Sequence, residues 1–348
     1  MNEKSIVDNL KFTISSSPHA HGVLSTKRLM TDVIIALFPA LIASFYLFGW
    51  KSLVVVLTSV FSCVFFEYIS RKIMKRNSTI SDMSAVVTGI LLAFNLPISI
   101  PLWMVVFAAL VAIVVVKQFF GGIGQNFVNP ALMGRIVLLS SFPTQMATWT
   151  QNVNSFFPAS SLDGVSSATP LSYFSHEGIA AINNSSMPSL LDMFLGKHAG
   201  SLGETCILAL LIGFVWLIYR RVIKLTIPCV YIFTFAILVL IYGNFNFEYL
   251  AYQLMAGGLI LGAVFMATDY STSPLHRTGK IIYAIGCGIL TFLIRTFASL
   301  PEGVSFAIIL MNLIVPLIEL YTSPVAFGVD RKFSFRKLAS GGKKNEQR

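Results

Sequence analysis

The chain has 348 residues, 55% of them hydrophobic and only 11% charged, with a formal net charge of +10. Soluble domains carry roughly 25% charged residues, so this composition excludes an ordinary water-soluble enzyme and calls for lipid as the solvent of most side chains. A positive balance on a soluble protein would raise nucleic acid as a partner, but here the placement of the basic residues gives it another meaning.

In chain order, residues 1–28 are polar and form an N-terminal segment without the pattern of a secretory signal peptide, because the first apolar run continues to about Phe48 with no small-residue cleavage site. Ten apolar runs follow, at 29–48, 53–70, 83–95, 102–119, 126–141, 204–219, 225–242, 251–267, 280–297 and 303–321. Most approach the ~20 residues that cross a hydrocarbon core. The third stops at Asn95-Leu96-Pro97 and the fifth opens on Asn126, Asn129 and Pro130. Such short or Pro-interrupted runs belong to helices shielded by protein. Three acids fall near span ends: Asp32 in the first, Glu67 in the second and Glu319 in the tenth. Acids at membrane depth are candidates for an ion pathway. The competing reading pairs them with Arg28, Arg71 or Lys72 at the interface.

Residues 142–203 form a polar loop rich in Ser, Asn and Pro, and residues 322–348 form a basic tail. With both termini inside, ten spans place 21 Lys and Arg in cytoplasmic segments and two, Lys51 and Lys197, outside. The net charge is then topology, and no nucleic-acid partner is implied. The long loop is outer, and it separates a first membrane half at 29–141 from a second at 204–321. Each half has a third run that ends in a break and a fifth with Asn and Pro inside it, Asn129-Pro130 and Asn312 with Pro316. Five is odd, so a repeat of this kind is inverted in the membrane, an arrangement that builds sites at the interface of the halves. The expected fold is an all-α polytopic membrane protein of about ten transmembrane helices in two inverted five-helix repeats, resembling urea transporters.

Cys63, Cys206, Cys229 and Cys287 lie singly in apolar stretches, which excludes a disulfide framework and a zinc or iron–sulfur ligand set. The five histidines are scattered over both sides, with no haem pair, and no metal site is expected. The turn Gly121-Gly122-Ile123-Gly124 admits two readings, a phosphate cradle or a tight connection between packed spans. In the outer loop, Asp163-Gly164-Val165-Ser166-Ser167-Ala168-Thr169-Pro170 is a run of small residues that leaves the Thr169 hydroxyl reachable. Taken by itself, that is a Ser-rich loop.

The string resembles the acceptor motif for covalent flavin attachment, Asp-x-x-Ser/Thr-Gly/Ser-Ala-Thr. Asp163, Ser166, Ser167, Ala168 and Thr169 match it, with Ser at 167 where Gly is commoner. In that motif the last Thr carries FMN through a phosphoester, installed by a flavin transferase from FAD. Ser17-Pro18-His19-Ala20-His21, the stretch Lys117 to Asn126 with Asn129-Pro130-Ala131, and Met266-Ala267-Thr268-Asp269 with Ser273-Pro274 resemble the RnfD family, the D subunits of Rnf complexes. The B subunits of the sodium-pumping NADH:quinone oxidoreductases (NqrB) are close relatives, with a longer N-terminal extension. The resemblance covers nearly the whole chain. It implies a membrane flavoprotein subunit, not active alone, of an electron-transport complex in the prokaryotic cytoplasmic membrane. Such a complex couples ferredoxin/NAD redox chemistry to Na+ or H+ translocation. Covalent FMN on Thr169 is implied, with Ser166, Ser167 and Ala168 in its loop. Asn126, Asn129 and Asp269 are implied near a second, non-covalent flavin, riboflavin. Partner subunits must supply iron–sulfur centres, NAD binding and another FMN. Two rivals stay open: a solute channel or transporter of urea-transporter-like fold, and a structural membrane anchor.

Overall fold

The computed structural model describes residues 25–77, 79–149, 169–183, 187–298 and 302–322. The motif residues Asp163, Ser166, Ser167 and Ala168, the N-terminal segment and the basic tail lie outside them. Among the described residues every regular element is helical. In the first half these are α1 (Thr26–Phe48), α2 (Trp50–Ile73), α3 (Ser84–Phe94), α4 (Leu102–Gln118) and α5 (Pro130–Ser141). Two short helices, α6 (Pro143–Met146) and α7 (Pro170–Glu177), and a third, α8 (Leu190–Leu195), occupy the polar stretch between the halves. The second half holds α9 (Ile207–Tyr219), α10 (Thr226–Tyr242), α11 (Phe247–Met255), α12 (Leu259–Met266), α13 (Arg277–Phe297) and α14 (Val304–Thr322).

Four helices are long and apolar enough to cross a membrane, α1, α2, α13 and α14, and the pair α11–α12, bent by 65°, makes a fifth. Shorter apolar helices fill the remaining runs. The surface of this bundle is apolar: Phe38, Phe61, Ile73, Val215 and Phe233 are all exposed. Its interior holds Glu67, Asn95, Lys117, Arg135, Arg295 and Asn312, all buried. Apolar outside and paired polar groups inside is the pattern lipid imposes, because a polar group facing hydrocarbon finds no partner. The molecule is a polytopic helical membrane protein.

Local chemistry sets the helix ends. Gly49, at φ 71°, takes the left-handed backbone that lets α1 reverse into α2 through one residue. Asn129 caps α5 by accepting from the Ala131 and Leu132 amides, with Pro130 at the first position. Asn246 caps α11 in the same way. Two helices carry π-helical stretches, Val111–Gln118 in α4 and Gly262–Met266 in α12. π-Turns inside α-helices often mark functional places, and both run to the cleft described below.

Within the first half α2 packs on α3 and α4, and α5 on α4; within the second, α10 packs on α13, and α13 on α14. Across the halves, α1 packs on α9 and α5 on α14. The α1–α9 crossing is close because Gly213 has no side chain: a Cβ there would lie 2.1 Å from the Ala36 carbonyl oxygen. Small residues at helix crossings are how membrane helices gain packing without a hydrophobic driving force.

Candidate functional site

Two clusters of functional groups lie near opposite ends of α1. Leu29 and Met30 line one, and Leu47 packs beside Gly196 at the other. Seventeen residues of helix separate Met30 from Leu47, about 26 Å at 1.5 Å per residue.

At the Leu47 end, Thr169 is the N-cap of α7, in extended backbone at φ −72° and ψ 153°. Its Oγ1 accepts from the Ser172 amide at 3.3 Å, and the Ser172 hydroxyl donates to the Thr169 carbonyl at 2.7 Å. Pro170 at the first helical position pre-sets the turn. The hydroxyl therefore stands at the positive end of a helix, where an attached phosphate would find amide donors. Helix α7 lies on α11: the Phe174 ring meets Tyr249 edge-on at 5.3 Å and Tyr252 at 5.9 Å. Leu171 covers Gly257, which has φ +66°. Beneath Gly257, Arg295 donates to the carbonyls of Gln253 at 2.8 Å and Ala256 at 3.0 Å, and its guanidinium lies 5.1 Å from the Phe235 ring centroid. It satisfies carbonyls that the 65° bend sets free. Thr169 itself is 8% exposed.

The same end holds His198, buried in the connection before α9 with Nδ1 unpartnered among the described residues. Burial pushes its pKa down from 6.5 to about 4. Its neutral form therefore contributes stability in full above pH 6.5, and this contribution fades as pH falls toward 4, because the unfolded chain binds the proton first. The full window is worth about 3 kcal/mol at most. Thermal unfolding in detergent is expected to fall between pH 6.5 and 4.5 less steeply in His198→Gln than in the wild type. Parallel pH profiles would contradict this.

At the Met30 end is a cleft of about 800 Å³, open mouth included, lined by Ser84, Lys117, Asn126, Asn129, Thr268 and Asp269 among others. The structure thus brings together the three residues singled out for a second flavin. They are not equivalent. Asn129 is engaged at both amide atoms: Oδ1 caps α5, and Nδ2 donates to the Met266 carbonyl at 3.3 Å. Asp269 accepts from the Ser271 hydroxyl at 2.8 Å and the Thr272 hydroxyl at 3.4 Å, and burial pushes its pKa up despite those bonds. Asn126 alone keeps a buried, unpartnered atom, Oδ1. A cleft with a spare amide acceptor fits a ligand that brings its own N–H.

Lys117, a cleft residue not singled out in the sequence, donates to Glu67 Oε2 at 2.8 Å and Ser84 Oγ at 2.7 Å. The signal was a lysine at the end of an apolar run. Glu67 also accepts from Thr79 at 2.5 Å and is fully buried. Asp32 pairs with Arg220 at 3.2 Å, and Glu319 accepts from the Leu275 amide at 3.0 Å. Glu67 and Asp32 are thus paired with Lys117 and Arg220 where the sequence suggested Arg28, Arg71 or Lys72. Gly121, Gly122 and Gly124 all have positive φ, and the Arg71 guanidinium fills the space a Cβ on Gly122 would take. That geometry belongs to a tight connection.

A helical membrane protein with polar clusters at both ends of its bundle is the class these features define. The chain belongs to the NQR2, RnfD, RnfE family, whose model matches residues 13–328. It is 45% identical over 327 residues to the D subunit of the Na(+)-translocating ferredoxin:NAD(+) oxidoreductase complex of Acetobacterium woodii, covering 93% of this chain and 98% of that one. It is 41% identical over 337 residues to the D subunit of the proton-translocating ferredoxin:NAD(+) oxidoreductase complex of Clostridium ljungdahlii, covering 95% and 100%. It is 35% identical over 347 residues to the D subunit of the ion-translocating oxidoreductase complex of Escherichia coli, covering 91% and 98%.

Proposed function

We propose that this chain is the flavin-bearing membrane subunit of an Rnf-type ion-translocating oxidoreductase. FMN is joined by a phosphoester to Thr169 at the outer end, and riboflavin occupies the inner cleft. Electrons pass through the flavins, and other Rnf subunits supply iron–sulfur and NAD chemistry. The names and near full-length match of the relatives support the complex. The observation that carries the FMN reading is Thr169 as an N-cap, with its hydroxyl at a helix N-terminus suited to a phosphate. Flavin supplies redox chemistry no side chain has. The protein's share is to hold the phosphate end, orient the ring and exclude water.

The same proposal takes the bundle as ten spans in two inverted halves. Support comes from the packing of like on like, first helix on first (α1 on α9) and fifth on fifth (α5 on α14), the contacts a two-fold axis between halves makes with itself. The described basic residues support the orientation. Lys27, Arg28, Arg71, Lys72, Arg220 and Arg221 flank the cleft end, which is then cytoplasmic, and Lys51 and Lys197 stand at the Thr169 end. The test is flavin fluorescence of the purified chain on a denaturing gel, from cells that express a flavin transferase. A fluorescent band is expected. A dark band would overturn the covalent flavin and favour a solute channel.

A further inference from the structure

We propose that Lys117 and Asn126 are the polar contacts through which the inner cleft grips the imide edge of its ring, and that the Lys117–Glu67 pair sets how easily that ring is reduced. This rests on the cleft holding the non-covalent flavin proposed above. An ammonium has three N–H donors. Glu67 and Ser84 take two of those on Lys117, and the third has no acceptor among the described residues. Lys117 lines the cleft and is 2% exposed. Asn126 supplies the matching acceptor, the unpartnered Oδ1. A donor and an acceptor on one cleft suit an edge that alternates carbonyl, N–H and carbonyl. Asn129 and Asp269, engaged by the backbone and by their own turn, shape the wall instead.

The pair is also oriented. Lys117 faces the cleft, while Glu67 stands behind it and does not line the cleft. Reduction adds two electrons from the donor and one proton from water to the ring, which is left with one negative charge. Lys117 meets that charge directly, and Glu67 tempers the lysine from the far side. Buried charges at such range are weakly screened.

The experiment uses the full chain carrying Thr169→Ala, so that the cleft flavin is the only one present. Flavin released on denaturation is measured first, and bound riboflavin is then titrated with dithionite against a reference dye. Glu67→Gln removes the tempering charge and is expected to raise the midpoint. Lys117→Met/Glu67→Gln removes both charges without leaving one unpaired and is expected to lower it. Each shift is about tenfold in the oxidised-to-reduced ratio at fixed potential, about 30 mV for a two-electron couple. Asn126→Leu is expected to weaken riboflavin rebinding about tenfold. Opposite signs from the two charge variants are what a merely structural pair would not produce. If flavin is released but the midpoints of wild type and Glu67→Gln coincide, the inference is overturned. If the parent chain releases no flavin, the second-flavin reading itself has failed.

Discussion

On the proposed attachment, chain purified with alanine in place of Thr169 is expected to run as a dark band on a denaturing gel, whereas Thr169→Ser is expected to keep its fluorescence. The reason is chemical: a phosphoester needs a hydroxyl, and serine offers one on the same backbone. Thr169→Ala also removes an N-cap, at a cost of about 1 kcal/mol. That cost falls on the eight-residue helix α7, which is further held by Phe174 against Tyr249 and Tyr252. The bundle itself is untouched, so the Ala variant should elute with the wild type on size exclusion and unfold within a few degrees of it. Thr169→Asn separates the two roles, since asparagine caps helices as well as threonine but accepts no phosphoester. A dark, fully stable Thr169→Asn chain is the expected outcome. Fluorescence surviving in Thr169→Ala would move the attachment to another residue.

Part of the architecture is legible in the sequence. Asn95-Leu96-Pro97 announces the end of α3, and that helix ends there. Asn129-Pro130, expected inside a fifth run opening at 126, instead caps and starts α5. These are local signals, and local signals survive in a sequence. The pairings are different. Glu67 and Lys117 are 50 residues apart, and Asp32 and Arg220 are 188 apart. Positive-inside counting places all four at the cytoplasmic side, but counting by side says nothing of partner. The polar stretch 142–203 reads as plain loop, yet Pro143–Met146, Pro170–Glu177 and Leu190–Leu195 are helical. Each is too short to leave a clear period, and each is opened by a proline or a capping residue. Thr169 stands out in the sequence only through its motif, and Arg295, which lies under the Gly257 turn that Leu171 covers, does not stand out at all. Its carbonyl partners Gln253 and Ala256 are freed only by the bend between α11 and α12.

Arg135→Leu should be the most damaging single change in the membrane core. The Arg135 guanidinium is buried within α5, donates to Asn95 Oδ1 at 2.8 Å and Ser305 Oγ at 3.3 Å, and forms an ion pair with Glu302. It ties the end of α3, in the first half, to the start of α14, in the second. Asn95 passes the link on through its amide, which reaches Met266 Sδ at 3.7 Å, while the Met266 carbonyl accepts from Asn129. One chain of polar contacts thus runs from Glu302, just before α14, to Asn129 on the cleft wall, across the joint between halves. Removing one partner of a buried ion pair leaves the other charge uncompensated, a loss of about 3–5 kcal/mol. The orphaned Asn95 oxygen adds about 1–3 kcal/mol if no water reaches it. Part of this is relieved at Glu302, whose side chain keeps 16% of its exposure. A lower unfolding temperature in detergent and a lower yield from membranes are expected for Arg135→Leu. Adding Glu302→Gln should recover part of the loss, because the carboxylate stranded at Glu302 is then gone, whereas Arg135→Lys should recover little, since a lysine cannot span three partners with a planar fork. An Arg135→Leu chain as stable as wild type would mean that the halves are held by apolar packing alone, and that the polar chain through Met266 carries no mechanical load.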